Sequence, residues 1–221
     1  FNWRGWWNFG TGALGDMGCH LIDIPFKALG LKYPTDVECS IGTVFTKMWS
    51  ADYYPEGCPP SSSVSLHFDA TEKNNGPIQM TWSDGGIRPF HPDLLPADVS
   101  IEDNGVIMIG DKGVITCDAY GNDPKLYRKG EPVVMGEKVK VLEPEFGHQR
   151  QWVDACKAGF NSAEHKSLTS SFDYSGPLTE TVLMGNIAIR SYMLTEEGAT
   201  GRRANYIGRK KLLWDGENMK I

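Results

Sequence analysis

The sequence predicts an α+β fold, with an open, largely antiparallel or mixed β-sheet and helices packed on one face, in a single domain covering residues 1–221. Three observations predict it. Apolar residues recur at helical spacing between Gly12 and Leu29; from Asp36 to Arg128 the period is two, in short runs broken by Gly- and Pro-rich turns; after His148 the helical period returns. Helix, strand block, then helices describes segregated layers, not alternating β-α-β units, and no internal repeat is visible.

The first helix is predicted from Gly12 to Leu29, with Gly30 as its left-handed terminator. Pro25 lies inside it and predicts a kink or a broken last turn, because proline lacks the N–H and crowds the preceding turn. Leu14, Met17, Leu21, Ile24 and Ala28 are expected on one side of it. Val37, Cys39, Ile41 and Thr43 then alternate with Glu38, Ser40 and Gly42, as Val64, Leu66 and Phe68, and Ile78, Met80 and Trp82, do with their neighbours. Each run predicts a half-buried strand. Residues 50–63 and 85–98, with three or more prolines each, predict long loops.

Val106–Ile109 and Val114–Cys117 flank Gly110–Gly113, a hairpin signal, and Lys125–Arg128 and Lys138–Leu142 predict short edge strands. A helix follows from His148 to Ala158, with Trp152, Val153 and Cys156 as its apolar face and Gly159 as its end. The last helix is predicted from Pro177 to Met193, since proline is tolerated in a first turn, with Leu178, Val182, Leu183, Ile187 and Ile189 apolar.

Size and composition restrict function. With 221 residues, 40% hydrophobic and 23% charged, the chain buries a sizeable core and is not disordered. Its net charge of −6 argues against nucleic acid as a partner, and the run Arg209-Lys210-Lys211 reads as solvated surface. Cys19, Cys39, Cys58, Cys117 and Cys156 stand singly, without a CxxC pair, and read as small buried hydrophobes rather than a zinc or disulfide framework. No apolar run is long enough to cross a membrane and no signal peptide is visible, so the cytoplasm is the expected compartment. The chain opens at Phe1 and not Met, which predicts a piece of a longer protein and leaves a periplasmic address open.

Residues 10–23 carry the chemistry. Asp16, His20 and Asp23 fall at i, i+4 and i+7 of the predicted helix and share a stripe away from its apolar side. Histidine titrates nearest neutral pH, so an Asp16–His20 pair is a candidate for taking a proton from a substrate hydroxyl while a hydride leaves the same carbon; the alternative is a surface ion pair. Upstream, Arg4, Trp6 and Trp7 either pack under the helix or line a pocket for a polar ligand such as a sugar. His91, in the second Pro-rich loop, and His148, at a helix start, are candidate ligand contacts. His67 is expected at the surface of a strand. No third ligand stands at metal spacing beside Asp16 and His20, so no metal is expected. Gly10-x-Gly12-x-x-Gly15 matches the dinucleotide fingerprint in letters but follows no Val/Ile strand, so close backbone packing at a helix entry is expected there instead of a cofactor.

The run from Gly15 through Asp16, Gly18 and His20 to Asp23 resembles the D-x-G-x-H-x-x-D segment of the Gfo/Idh/MocA oxidoreductase family, and WRGWWNFGTGALGDMGCHLID resembles its bacterial sugar-acting branch. Ser171 to Asn186 is similar to that branch's penultimate helix, so the likeness spans most of the chain. The resemblance implies the C-terminal, substrate-binding and oligomerising domain of a two-domain protein whose N-terminal Rossmann domain is absent. It implies catalytic roles for Asp16 and His20, a structural or substrate-supporting role for Asp23, and a homo-oligomer formed through the sheet. NAD or NADP would be held by the nucleotide domain, which also carries the family's catalytic lysine. The implied activity is oxidoreduction of a sugar or cyclitol, with this chain inactive alone. A cofactor-retaining glycosidase of the same fold and a non-catalytic sugar-binding or assembly domain are the alternatives.

Overall fold

The computed structural model describes residues 2–137, 147–196 and 204–221. Its class is α+β, and the described residues form two sheets where the sequence predicts one. After a 3-10 turn at Asn2–Gly5 come α1 (Gly12–Leu21) and α2 (Asp23–Leu29). Strands β1 (Asp36–Ile41), β2 (Ser62–Phe68) and β3 (Ile78–Ser83) follow, then β4 (Gly105–Ile109), β5 (Val114–Asp118), β6 (Lys125–Tyr127) and β7 (Val134–Met135). The chain continues through α3 (Gly147–Ala158), α4 (Ala163–Lys166), α5 (Phe172–Ser191) and β8 (Leu212–Leu213). The predicted strand Lys138–Leu142 lies outside the described residues.

The first sheet has the order β3-β2-β1-β8 and the second β4-β5-β6-β7, with every pairing antiparallel. In the first, period-two patterning sets the register: Val37 stands opposite Leu66, Cys39 opposite Val64, and Val64 opposite Trp82. This puts Val37, Val64, Leu66, Phe68 and Trp82 on one buried face, against which α1, α2 and α5 pack with Leu14, Ile22, Phe26, Leu178, Val182 and Met184. A methyl carbon added at Gly185 of α5 would stand 2.5 Å from Leu14 Cδ2, so only glycine lets α5 approach α1 this closely.

Several expectations are corrected. The interruption expected of Pro25 falls one turn earlier, at Ile22, because the proline has no N–H for the Leu21 carbonyl; Ile22 itself keeps helical angles (φ −72°, ψ −30°), and Gly30 closes the second piece in the left-handed conformation (φ 65°), as expected. The core line runs Leu14, Gly18, Ile22, Phe26, while Met17 and Leu21 are half-buried and Ala28 is exposed. α5 begins at Phe172, so Pro177 is interior; the carbonyl for which it has no N–H belongs to Asp173, exposed in the first turn. Leu183 and Ile187 of α5 are exposed. Trp152, Val153 and Cys156 are exposed too, and Ala155 is the buried residue of α3. Of the cysteines only Cys117 is buried; Cys39 and Cys58 are intermediate and Cys19 and Cys156 exposed.

The outer face of the first sheet carries a charge cluster that fastens three strands. His67 Nδ1 donates to Asp36 Oδ1 at 2.7 Å, and Lys211, just before β8, reaches Asp36 at 3.3 Å and Glu38 at 3.8 Å. Burial opposes the Asp36 charge, but hydrogen bonds from His67 and Lys211 outweigh it and hold the carboxyl below its ordinary 3.8. A carboxyl with a lowered folded value contributes stability above its unfolded pKa and loses it as pH falls through the folded one. Asp36→Asn is therefore expected to lower the urea-unfolding free energy by about 1 kcal/mol at pH 7 and to reduce the difference between pH 5 and pH 3. An unchanged pH dependence would show that the cluster adds nothing.

Candidate functional site

The candidate site lies on the face of α1 turned away from the core. Because Leu14, Gly18 and Ile22 are spaced by four, they line the buried side, and Asp16 and His20, also spaced by four, share the exposed one. The segment before the helix folds back over its start. Gly10 N–H donates to Trp6 O at 2.9 Å, and a Cβ at Gly10 would stand 2.6 Å from Arg4 Cα, so a side chain there would expel the turn. Gly12 takes φ +68° with Cys58 Sγ 3.1 Å from where its Cβ would be. These glycines serve close packing at the helix entry, and residues 2–5 form a 3-10 turn where the dinucleotide fingerprint needs a strand.

The fold-back places Arg4 against Asp16, and the two form an ion pair. Asp16 thus pairs with Arg4 and not, as helical spacing predicts, with His20, and no hydrogen bond from a described residue reaches the His20 ring. His20 is instead met by Tyr120, edge to face, with ring centroids 5.5 Å apart. Tyr120 comes from the turn after β5, which Asp118 organises: its Oδ1 accepts from Tyr120 N (2.8 Å) and Asn122 N (2.7 Å). Ile24 of α2 packs over Gly121 of that turn. The second sheet therefore presents Tyr120 to α1.

Asp23 accepts a hydrogen bond from the Tyr174 hydroxyl, tying α2 to the start of α5. Tyr174 also meets Phe26 edge to face at 5.8 Å and carries the Lys27 ammonium 4.6 Å from its ring centroid. Burial, then the Asp23 hydrogen bond and charge, push the phenol well above its ordinary 10, so it stays a donor at neutral pH. Burial first, and then the Asp16 charge, raises the Cys19 thiol, which disfavours thiolate chemistry there.

The remaining candidates divide. Trp6 is exposed, while Trp7 packs against the core and carries Arg190 5.8 Å from its ring. His91 lies exposed within its own loop, its ring nitrogens 3.2 and 3.1 Å from the carbonyls of Pro92 and Val99. His148 is exposed in the first turn of α3, a helix whose packing is chiefly on α4. No described contact links either histidine to Asp16 or His20. The structure therefore joins Arg4 to Asp16 on the face that His20 shares, keeps Trp6 exposed on the Arg4 segment and Trp7 against the core, ties Asp23 to Tyr174, and leaves His91 and His148 elsewhere.

Sequence reasoning gave no role to Tyr120 and Tyr174. The Asp118-to-Asn122 turn is a turn signal, but nothing in it indicates which helix it will face. Val37, Met184, Ile187, Leu212, Trp214 and Ile221 line a shallow apolar dimple, and none of them is on the Asp16–His20 face. Among the described residues no three His, Cys, Asp or Glu side chains converge as metal ligands would, and no helix is long and apolar enough to cross a membrane. No protein-family model matches the chain, and no curated protein matches it.

Chemically, the face offers an exposed imidazole beside a carboxylate already neutralised by a guanidinium. Such a group can accept or return a proton from a hydroxyl laid across α1.

Proposed function

We propose that this chain is the substrate-handling part of an NAD(P)-dependent oxidoreductase of a sugar or cyclitol, with His20 taking or returning the hydroxyl proton. The observation that supports it is the placement of His20 and the Arg4–Asp16 pair together on the solvent face of α1, whose other face is locked in the core. Nothing in that packing requires an exposed histidine there. Arg4 holds Asp16 in place and offsets its charge, so a neutral polyol can approach without displacing a bare carboxylate. Tyr120 restricts the His20 ring from one side, and the Asp23–Tyr174 bond fixes the helix junction behind it.

A nicotinamide held by the separate nucleotide-binding domain that the resemblance implies would supply the hydride acceptor or donor. Homo-oligomerisation through the outer face of the first sheet, where Ser40, Ser65, Gln79 and Thr81 lie, and a cytoplasmic address belong to the same proposal. The test uses full-length protein and polyols deuterated at the reacting carbon. Deuterium transfer to nicotinamide is the expected result. Release of free sugar from a glycoside without net NADH would favour the glycosidase, and neither outcome would leave a binding or assembly role.

A further inference from the structure

The segment that carries Arg4 to Asp16 is aromatic beyond what core packing uses, since Trp3, Trp6 and Phe9 are exposed. Residues 2–9 read Asn-Trp-Arg-Gly-Trp-Trp-Asn-Phe, rings and planar polar groups without one aliphatic side chain. Backbone bonds fasten this segment to the loop before β2: Trp7 N donates to Glu56 O at 2.9 Å, Cys58 N to Gly5 O at 2.8 Å, and Trp6 bridges antiparallel to Gly57. Gly57 brings no side chain to that bridge, and Tyr54 Cβ lies 4.0 Å from where a Gly57 Cβ would stand. Trp6 and Tyr54 thus flank one pinned piece of backbone. They are 54% and 66% exposed, although the same chain buries Trp82 to 8%. Arg4, on the Trp6 segment, pairs with Asp16.

We infer that Trp6 and Tyr54 form a stacking subsite for a second sugar ring, so that the site takes a glycoside or short oligosaccharide and not only a free monosaccharide. This rests on the reading of the α1 face as a sugar site. A pyranose presents C–H groups on its faces and hydroxyls around its rim. Flat aromatic faces cover the first, and amide, guanidinium and carboxylate groups, such as those of Asn2, Arg4, Asn8 and Glu56, pair with the second. Because the backbone that carries both rings is pinned, only their side-chain torsions need ordering when a ligand arrives.

Calorimetric titration of the 221-residue chain with glucose, maltose and cellobiose tests it. One of the disaccharides is expected to bind about tenfold tighter than glucose, the effect of one stacked ring. Tyr54→Ala should remove that advantage while glucose affinity and melting temperature stay unchanged, and Tyr54→Phe should keep it. Equal affinities, no binding by any of the three, or an advantage that survives Tyr54→Ala would overturn the subsite. The disaccharide comparison on the unaltered chain decides even if a variant fails to fold. Loss of the advantage with deuterium transfer intact would leave the His20 reading standing; a disaccharide preference without oxidoreduction would support the subsite alone.

Discussion

His20→Ala in the full-length protein is expected to lower turnover by about 10²- to 10⁴-fold, the usual contribution of a positioned proton-transfer group, with cofactor affinity unchanged. The size follows from geometry. His20 is exposed and makes no described hydrogen bond, so removing its ring leaves no buried partner stranded and should cost little stability. The loss should therefore appear in kcat at a constant melting temperature. Steady-state kinetics with a separate titration of NAD(H) would check it, and unchanged turnover would remove His20 from the mechanism. His20→Gln, which keeps polarity but cannot titrate, should behave like His20→Ala.

Leu14→Ala should have the largest effect on folding. Leu14 is 1% exposed and fills the crossing of α1 and α5: a Cβ at Gly18 would stand 3.1 Å from its Cδ1, and one at Gly185 2.5 Å from its Cδ2. Glycines on both sides cannot move in to fill a void, because they carry no side chain to repack. The loss is expected near the upper part of the range of about 2–5 kcal/mol for such truncations, a large fraction of the roughly 5–15 kcal/mol that holds a domain folded. Urea denaturation would measure it, and a change below about 1 kcal/mol would mean that the crossing collapses onto the gap. Since Leu14 and His20 share α1, this substitution should also impair activity at temperatures below its own melting point, unlike His20→Ala, which should spare folding.

Much of the first sheet was legible because its strands are two-faced. Val64, Leu66 and Phe68 alternate with serine and histidine, and a one-residue slip would bury the wrong set. The second sheet was legible only in part. The Gly110–Gly113 turn signal marks β4 and β5 as a hairpin, but the long loop over residues 85–104, not any period, separates them from β3. The core side of α1 was misread for a related reason: its line includes Gly18, which hydrophobicity does not mark, although its lack of a side chain lets Val182 of α5 come close. At the site, spacing alone brought Asp16 and His20 to one face. Their partners Arg4, Tyr120 and Tyr174 come from a fold-back, a remote turn and the last helix, and helical spacing says nothing about any of them.

The pairing of β8 with β1 sets a timetable for synthesis. Asp36 and Val37 pair with Leu213 and Leu212, roughly 175 residues later in the chain, so at about 5–20 residues per second one border of β1 stays open for roughly 10 to 35 s on the ribosome. An uncovered strand border is a template for pairing with another nascent chain. Glu38, together with Asp36 the acceptor of Lys211 in the finished fold, lies on that border and lends it negative charge while the lysine is still unmade.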